Sequence, residues 1–273
     1  MQETLSVTTD YATDQGCPQP ALRAIAETGF THIHWCHQWN TDFLYVDSEI
    51  RAIEAWMKQY HLTLTDLHAS DGKEKRWTSA LDYEREAGVD LVKNRIAMTD
   101  RLGGDVIIMH LGSEPESEQA KQGYWDALAK SLDELEPVSR FHDVQIALEN
   151  GRFPMIRRVL EEYDPSYLGL CYDCGHGNMD EKGLDELDSL KDRLISVHLH
   201  DNDGTSDQHK LPFTGTVDWN RLARILASSS YKKPMSFEVS MRNSGIQDES
   251  LFLKEAFDAA RRFSSMVKSQ ESK

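Results

Sequence analysis

The chain has 273 residues, of which 39% are hydrophobic and 28% charged, with 16 glycines and 8 prolines, a composition that fits a globular protein with a sizeable core and excludes a fibrous or low-complexity one. Its 46 acidic residues against 30 basic ones give a formal net charge of −16, which disfavours a nucleic-acid partner, because phosphate backbones are bound by faces rich in Lys and Arg. No apolar run of about 18 residues is present and the N-terminal MQETLSVTTD lacks the basic and apolar regions of a signal peptide, so no membrane partner and a cytoplasmic location are expected.

Short apolar, β-branched runs alternate with helical stretches along the chain. Strands are predicted at about residues 5–9, 31–35, 62–67, 105–109, 144–148, 167–172, 194–199 and 235–239. Between them, residues 47–60 (DSEIRAIEAWMKQY) have helical periodicity, with Asp47 or Ser48 as cap and Ile50, Ile53, Trp56 and Met57 as the apolar stripe. Further helices are predicted over 79–102, 118–141, 218–228 and 248–266. Such alternation requires parallel strands joined by crossover helices, and eight units in about 250 residues is the size of a closed (β/α)8 barrel. No linker-like segment interrupts the series, so residues 1–273 are read as one α/β domain, a TIM barrel. An open doubly wound sheet is the rival, but no G-x-G-x-x-G or Walker A motif follows any strand.

In a barrel of this kind chemistry sits at the C-terminal ends of the strands. Here the third strand ends in TDLHAS (His68), the fourth in IIMHLG (His110) and the fifth in IALENG (Glu149). The sixth ends in CYDCGHGN (Asp173, His176), the seventh in VHLHDND (His198, His200) with Asp207 and His209 in its loop, and the eighth in SFEVS (Glu238). Five or six of the eleven histidines fall at these ends. A single strand-end histidine is commonly just hydrogen-bonded, and Glu149 alone could pair with Arg152. Six successive ends carry His, Asp or Glu; an uncompensated cluster of the carboxylates would repel and shift its own pKa values, which a cation resolves, and imidazole and carboxylate are the donors that a borderline divalent ion takes.

His198 and His200 are two apart and share a strand face, so either can be the seventh-strand ligand; Cys171 and Asp173 share a face likewise. The loop 201–210 is not a calcium loop, because taking Gly204 as its sixth position puts Leu199 first and Lys210 twelfth. The four cysteines are expected as free thiols, since the C-x-x-C of Cys171 and Cys174 has no second pair to complete a zinc site.

These motifs together resemble the xylose isomerase-like TIM barrels, the superfamily that includes sugar phosphate isomerases and epimerases and endonuclease IV (AP endonuclease family 2). The resemblance covers nearly the whole chain and is clearest from the third strand onward. In the endonuclease IV branch it implies three zinc ions: one on His68, His110 and Glu149, a second on Glu149, Asp173, His198 and Glu238, and a third on His176, Asp207 and His209. In the isomerase and epimerase branch it implies a single ion, on Glu149, Asp173, His198 and Glu238, with Glu149 and Glu238 as the catalytic proton shuttles. Either way it implies a divalent metal, Zn2+ or Mn2+, at one to three ions per chain. Two departures stand out. Where isomerase-like members carry P-G-x-G-x-x-D, this chain reads PFTGTVDW (212–219), and ASDGKEKRW after His68 is not the DNA-contacting loop of endonuclease IV.

The expected function is therefore a metal-dependent sugar or sugar-phosphate isomerase or epimerase that moves a proton alpha to a carbonyl through an enediolate. The alternative is a multinuclear zinc phosphodiesterase or hydrolase of the endonuclease IV type, acting on a small phosphodiester or abasic DNA; a barrel that keeps its metal only for stability is a third reading. HIHWCHQWN (32–40) supplies His37 and Trp39 as sugar contacts, unless Trp39 and Trp35 simply pack in the core. His176 and His200 are further candidate substrate contacts, and Arg242, Arg152 and Lys210 are candidates for a substrate phosphate. Homo-oligomerisation is compatible with the sequence.

Overall fold

Eight parallel strands, each followed by one or more helices, make up the computed structural model, which describes residues 4–12 and 16–271. Met1 to Glu3, part of the N-terminal stretch read for targeting, lie outside the described residues. The strands are β1 (Leu5–Thr8), β2 (His32–Trp35), β3 (Thr63–His68), β4 (Val106–Met109), β5 (Gln145–Glu149), β6 (Leu168–Asp173), β7 (Leu194–His198) and β8 (Met235–Phe237). They hydrogen-bond in the order β7-β6-β5-β4-β3-β2-β1-β8. The circle closes where Leu199 bridges Phe237, with the Leu199 amide donating to Ser236 O at 2.9 Å and that of Glu238 to Leu199 O at 3.1 Å. A (β/α)8 barrel is thus the fold, and every strand expected from the sequence is present within two residues at either end.

The helices are α1 (Gln19–Thr28), α2 (Asp47–Tyr60), α3 (Asp82–Arg101), α4 (Glu118–His142), α5 (Phe153–Glu162), α6 (Cys174–Asn178), α7 (Gly183–Leu190), α8 (Trp219–Ala227) and α9 (Glu249–Glu271). Periodicity located α2, α3, α4, α8 and α9, the last continuing five residues further than expected. It did not locate α1, α5, α6 or α7. The α1 and α5 helices open on prolines, Pro20 and Pro154, tolerated in the first turn where the missing N–H has no intrahelical partner anyway. The single turn of α6, CGHGN, has two glycines and little helical propensity; it is held by Asp173, whose Oδ1 accepts the His176 amide at 2.7 Å.

Two register shifts set the depth of the barrel interior. Ile33 pairs with Leu64 but His34 with Asp66, passing over Thr65; Leu170 pairs with Leu194 but Cys171 with Ser196, passing over Ile195. Each adds one residue to one strand and re-aims the side chains beyond it. Outside the strands the helices bury their apolar faces. At the end of the chain α9 packs on α1, α8, β1 and β8, with Phe263 buried against Trp219 (centroids 4.9 Å apart) and Phe237 (6.4 Å). No helix among the described residues is long and apolar enough to cross a membrane.

Replacing Phe263 by Ala removes a fully buried ring at the seam of the barrel, and urea unfolding should show a loss of about 3–5 kcal/mol; a loss below about 1 kcal/mol would mean that α9 contributes little to closure.

Candidate metal centre

Parallel strands deliver their last residues to one end of the barrel, and three donor clusters meet there around Glu149. In the first, His68 Nε2 lies 3.1 Å from His110 Nε2, and these atoms lie 3.7 and 3.3 Å from Glu149 Oε2. The Nδ1–H of His68 has a backbone acceptor, Ala69 O at 2.9 Å, which leaves Nε2 a lone pair directed at the carboxylate. In the second cluster His198 Nδ1 sits between two glutamates from different strands, 3.2 Å from Glu149 Oε1 and 2.8 Å from Glu238 Oε2. In the third, His200 Nε2 is 3.0 Å from both oxygens of Asp173 and 3.6 Å from Asp207 Oδ1. Asp207 Oδ2 meets His209 Nε2 at 2.9 Å and His176 Nε2 at 3.5 Å, and the rings of His200 and His209 stack with centroids 4.2 Å apart. His176 Nδ1 closes the circle 3.5 Å from Glu149 Oε1.

Both seventh-strand histidines therefore enter the site, for different partners: His198 faces the paired glutamates and His200 faces Asp173. Asp173 meets His200 with both oxygens and accepts the His176 amide at the start of α6. Glu149 pairs with no Arg152, which is exposed at the N-terminus of α5; its carboxylate is surrounded by imidazoles instead. Lys210 is half-buried and its backbone bridges Asp201, whose side chain accepts from Trp219 Nε1 at 2.8 Å and anchors the seventh-strand loop. In PFTGTVDW, Phe213 takes a left-handed φ of 70°, the backbone state that a glycine would adopt freely, and its ring covers Trp219 and stacks under Arg262.

The aromatic segment after β2 divides. Trp39 lies over His68 (centroids 4.2 Å apart) and, with Glu238, His209 and Arg242, lines a 290 Å³ cavity beside the clusters. His37, expected at the sugar, instead lines a separate 310 Å³ cavity with Phe43, Tyr45 and Trp56, because the left-handed turn at Gln38 separates it from Trp39 and its carbonyl accepts from Tyr45 Oη at 2.6 Å. Trp35 is core. A larger 530 Å³ cavity opens on the other side, at His110, His176, Asn150 and Lys182.

Sequence reasoning missed the layer below. His34 Nδ1 and Asp66 Oδ1 are 2.6 Å apart, Ser196 donates to the other oxygen of Asp66, and the His34 ring lies 4.3 Å from that of His198. All of these are buried. The usable signal was spacing: Asp66 is two residues before His68, and His34 two before Cys36, on the same strand faces.

A divalent cation fits this donor set. Glu149 Oε2 and His176 Nδ1, both in these clusters, are buried without a hydrogen-bond partner, a costly condition for polar atoms away from water. The ionisation states of Glu149 and His68 fit too. Burial would raise the Glu149 carboxyl, but the charges of His110 and His198 outweigh it and hold the group at about 2. Burial, with His110 beside it, pushes His68 down to about 3, so its imidazole is neutral and ready to coordinate. His176 and His209 differ: burial opposes their charge, yet Asp173 and Asp207 raise the first to about 11 and Asp207 and Glu238 the second to about 10, so in the metal-free protein both are cationic and each must release a proton to coordinate.

Because both imidazoles titrate higher folded than unfolded, their stabilisation of the metal-free protein is complete below the ordinary value of 6.5 and is lost as pH rises through about 10 to 11. The melting temperature of chelator-treated protein should fall over that interval, and Asp207→Asn should flatten the fall; an unchanged slope would remove Asp207 as its source. Gly175→Ala would drive a methyl into the imidazole of His200 at Cε1, so His200 must move, and zinc affinity measured by chelator competition should drop by about 10–100-fold.

The chain as a whole is similar to known proteins. The chain is 30% identical to an uncharacterized protein, y4fM, of Sinorhizobium fredii, across 91% of this chain and 89% of that one, and 24% identical to a protein of Thermoplasma acidophilum described as a probable endonuclease 4, across 74% and 76%. In fold it is similar to a D-tagatose 3-epimerase-like protein (TM-score 0.78, 18% identity, 98% of this chain and 99% of the other) and to the 3-keto-D-glucoside 4-epimerase of E. coli (0.75, 19%, 96% and 99%). With the family model of the xylose isomerase-like TIM barrels matching residues 22–256, the chain belongs to that family.

Proposed function

We propose that the protein is a divalent-metal-dependent epimerase or isomerase of a sugar or sugar derivative. The observation that carries this reading is the pairing of Glu149 and Glu238, which approach one imidazole, His198, from β5 and from the end of β8. Glu149, His198 and Glu238, with Asp173 beside them, would hold a zinc or manganese ion, which supplies positive charge to a carbonyl oxygen and its neighbouring hydroxyl. One glutamate removes the proton alpha to the carbonyl and the other returns it to the same or the opposite face. The imidazoles around Glu149 hold that carboxyl at about 2, and His198 keeps the buried Glu238 well below the usual carboxylate range, so both are ionised at neutral pH. Trp39 offers an indole wall to the apolar face of a sugar, and Arg242 offers a cation at the rim of the same cavity for an oxyanion substituent. The epimerases among the structural neighbours agree with this reading.

One observation favours a second reading, a multinuclear hydrolase of a small phosphodiester: the His68–His110–Glu149 and His200–Asp207–His209 groups are further sets of converging donors, more than a one-ion epimerase needs. Metal counting separates the two, with one tightly held ion expected for the epimerase and three for the hydrolase.

Incubated in D2O with a panel of ketoses and their phosphates, the metal-loaded protein should wash deuterium into the carbon beside the carbonyl. Chelation should abolish the exchange, and Glu149→Gln and Glu238→Gln should each slow it by about 10²–10⁴-fold. Full turnover in either variant with its metal retained would exclude the proton-shuttle assignment.

A further inference from the structure

The carboxylate of Glu238 has two sides. Oε2 faces His198, whereas Oε1 lies 4.0 Å from Cys36 Sγ, and that sulfur lies 2.7 Å from His34 Nε2. We propose that His34, Cys36 and Glu238 form a separate cation site for zinc or a similarly thiophilic divalent ion, on the β1–β2–β8 side of the barrel.

Three features support it. The ligand atoms of His34, Cys36 and Glu238 all lie within 4.8 Å of one another, and all three residues are buried. The imidazole of His34 is already oriented as a metal ligand is: Nδ1 is 2.6 Å from Asp66 Oδ1 and Asp66 is fixed by Ser196, so the Nδ1–H is committed and Nε2 presents its lone pair to the sulfur. Access is provided as well, because Cys36 and Glu238 line the same 290 Å³ cavity as Asp10 and Thr8. Three protein donors with an open fourth position describe a zinc site that can take water or a carboxylate there, and a thiolate donor selects zinc over magnesium, calcium or manganese. Cys171 is another thiol near a histidine and a carboxylate, with Glu149 and His198, but it packs against Val106, Ile108 and Ala147.

An ion in this site would hold Glu238 Oε1. On the proton-transfer reading above, on which this consequence alone rests, zinc in excess of that needed for activity should therefore inhibit, and Cys36→Ser should relieve the inhibition.

The test reads sulfur ligation directly. Metal-free, full-length protein kept reduced is titrated with Co2+ to saturation. A near-ultraviolet thiolate-to-cobalt charge-transfer band should grow in with one equivalent, disappear in Cys36→Ser and persist in Cys171→Ser, while the visible cobalt bands of the imidazole and carboxylate sites remain in both. Saturating cobalt without the near-ultraviolet band, or a band that survives Cys36→Ser, overturns the site. If Cys36→Ser fails to fold, zinc-edge X-ray absorption of the zinc-saturated wild-type protein decides, a sulfur scatterer at about 2.3 Å being expected and its absence refuting the proposal. The proton-exchange assay above uses no sulfur readout, so failure of the thiolate site and failure of the epimerase reading are told apart.

Discussion

The site is organised by a single buried carboxylate. Glu149 gives one oxygen to His68 and His110 and the other to His198 and His176, so four imidazoles from four strand ends share one negative charge. A carboxylate buried this deeply is stable only if its surroundings stay positive or polar. Once Glu149 stands at the end of β5, the neighbouring strands are constrained to carry protonated imidazoles or to share a cation with it. The rest of the centre obeys that constraint: Glu238 and Asp173 add negative charge on two sides, and His198 and His200 separate them.

The barrel provides the convergence and the loops provide the asymmetry. On the β6–β7 side, the one-turn helix α6 brings His176 over Glu149, and the β7 loop, anchored through Asp201 and Trp219, returns Asp207 and His209 to the rim. On the β1–β2–β8 side the cavity is narrower and is walled by Trp39, Arg242 and Cys36. A substrate reaching Glu238 from this side meets an aromatic surface and a cation. The larger cavity on the other side is walled by His110, His176, Asn150 and Lys182 together with the acidic Asp180 and Glu181. The two cavities thus present chemically different walls.

The strand series was legible because the strands are short, mostly apolar runs, and the polar residue at the end of β3, β5 and β6 or just past β4 and β8 marks the metal-ligand candidates His68, Glu149, Asp173, His110 and Glu238. Less was legible wherever geometry depends on contacts distant in sequence. Nothing local separates His198 from His200, since both share a face; only the positions of Glu238 and Asp173 on neighbouring strands do so. His37 and Trp39 read as one aromatic patch until the left-handed residue between them sends them to different cavities. His34 and Asp66 were passed over because they lie inside predicted strands rather than at their ends, where a polar residue is ordinarily an outward-facing one. The helices α6 and α7 carry too few periodic positions for an amphipathic signal.

The skipped residues Thr65 and Ile195 have a consequence for transplanting this centre. Both lie just upstream of the lowest polar layer, and each adds one residue of rise, about 3.3 Å. On a host barrel with uninterrupted pairing, the same side chains would either stop one step short of the rim or turn toward the helices. The portable unit is therefore the ligand list together with two interruptions in strand pairing that coordinate nothing. A graft that copies the histidines and acids alone would reproduce the composition of the centre with its depth wrong.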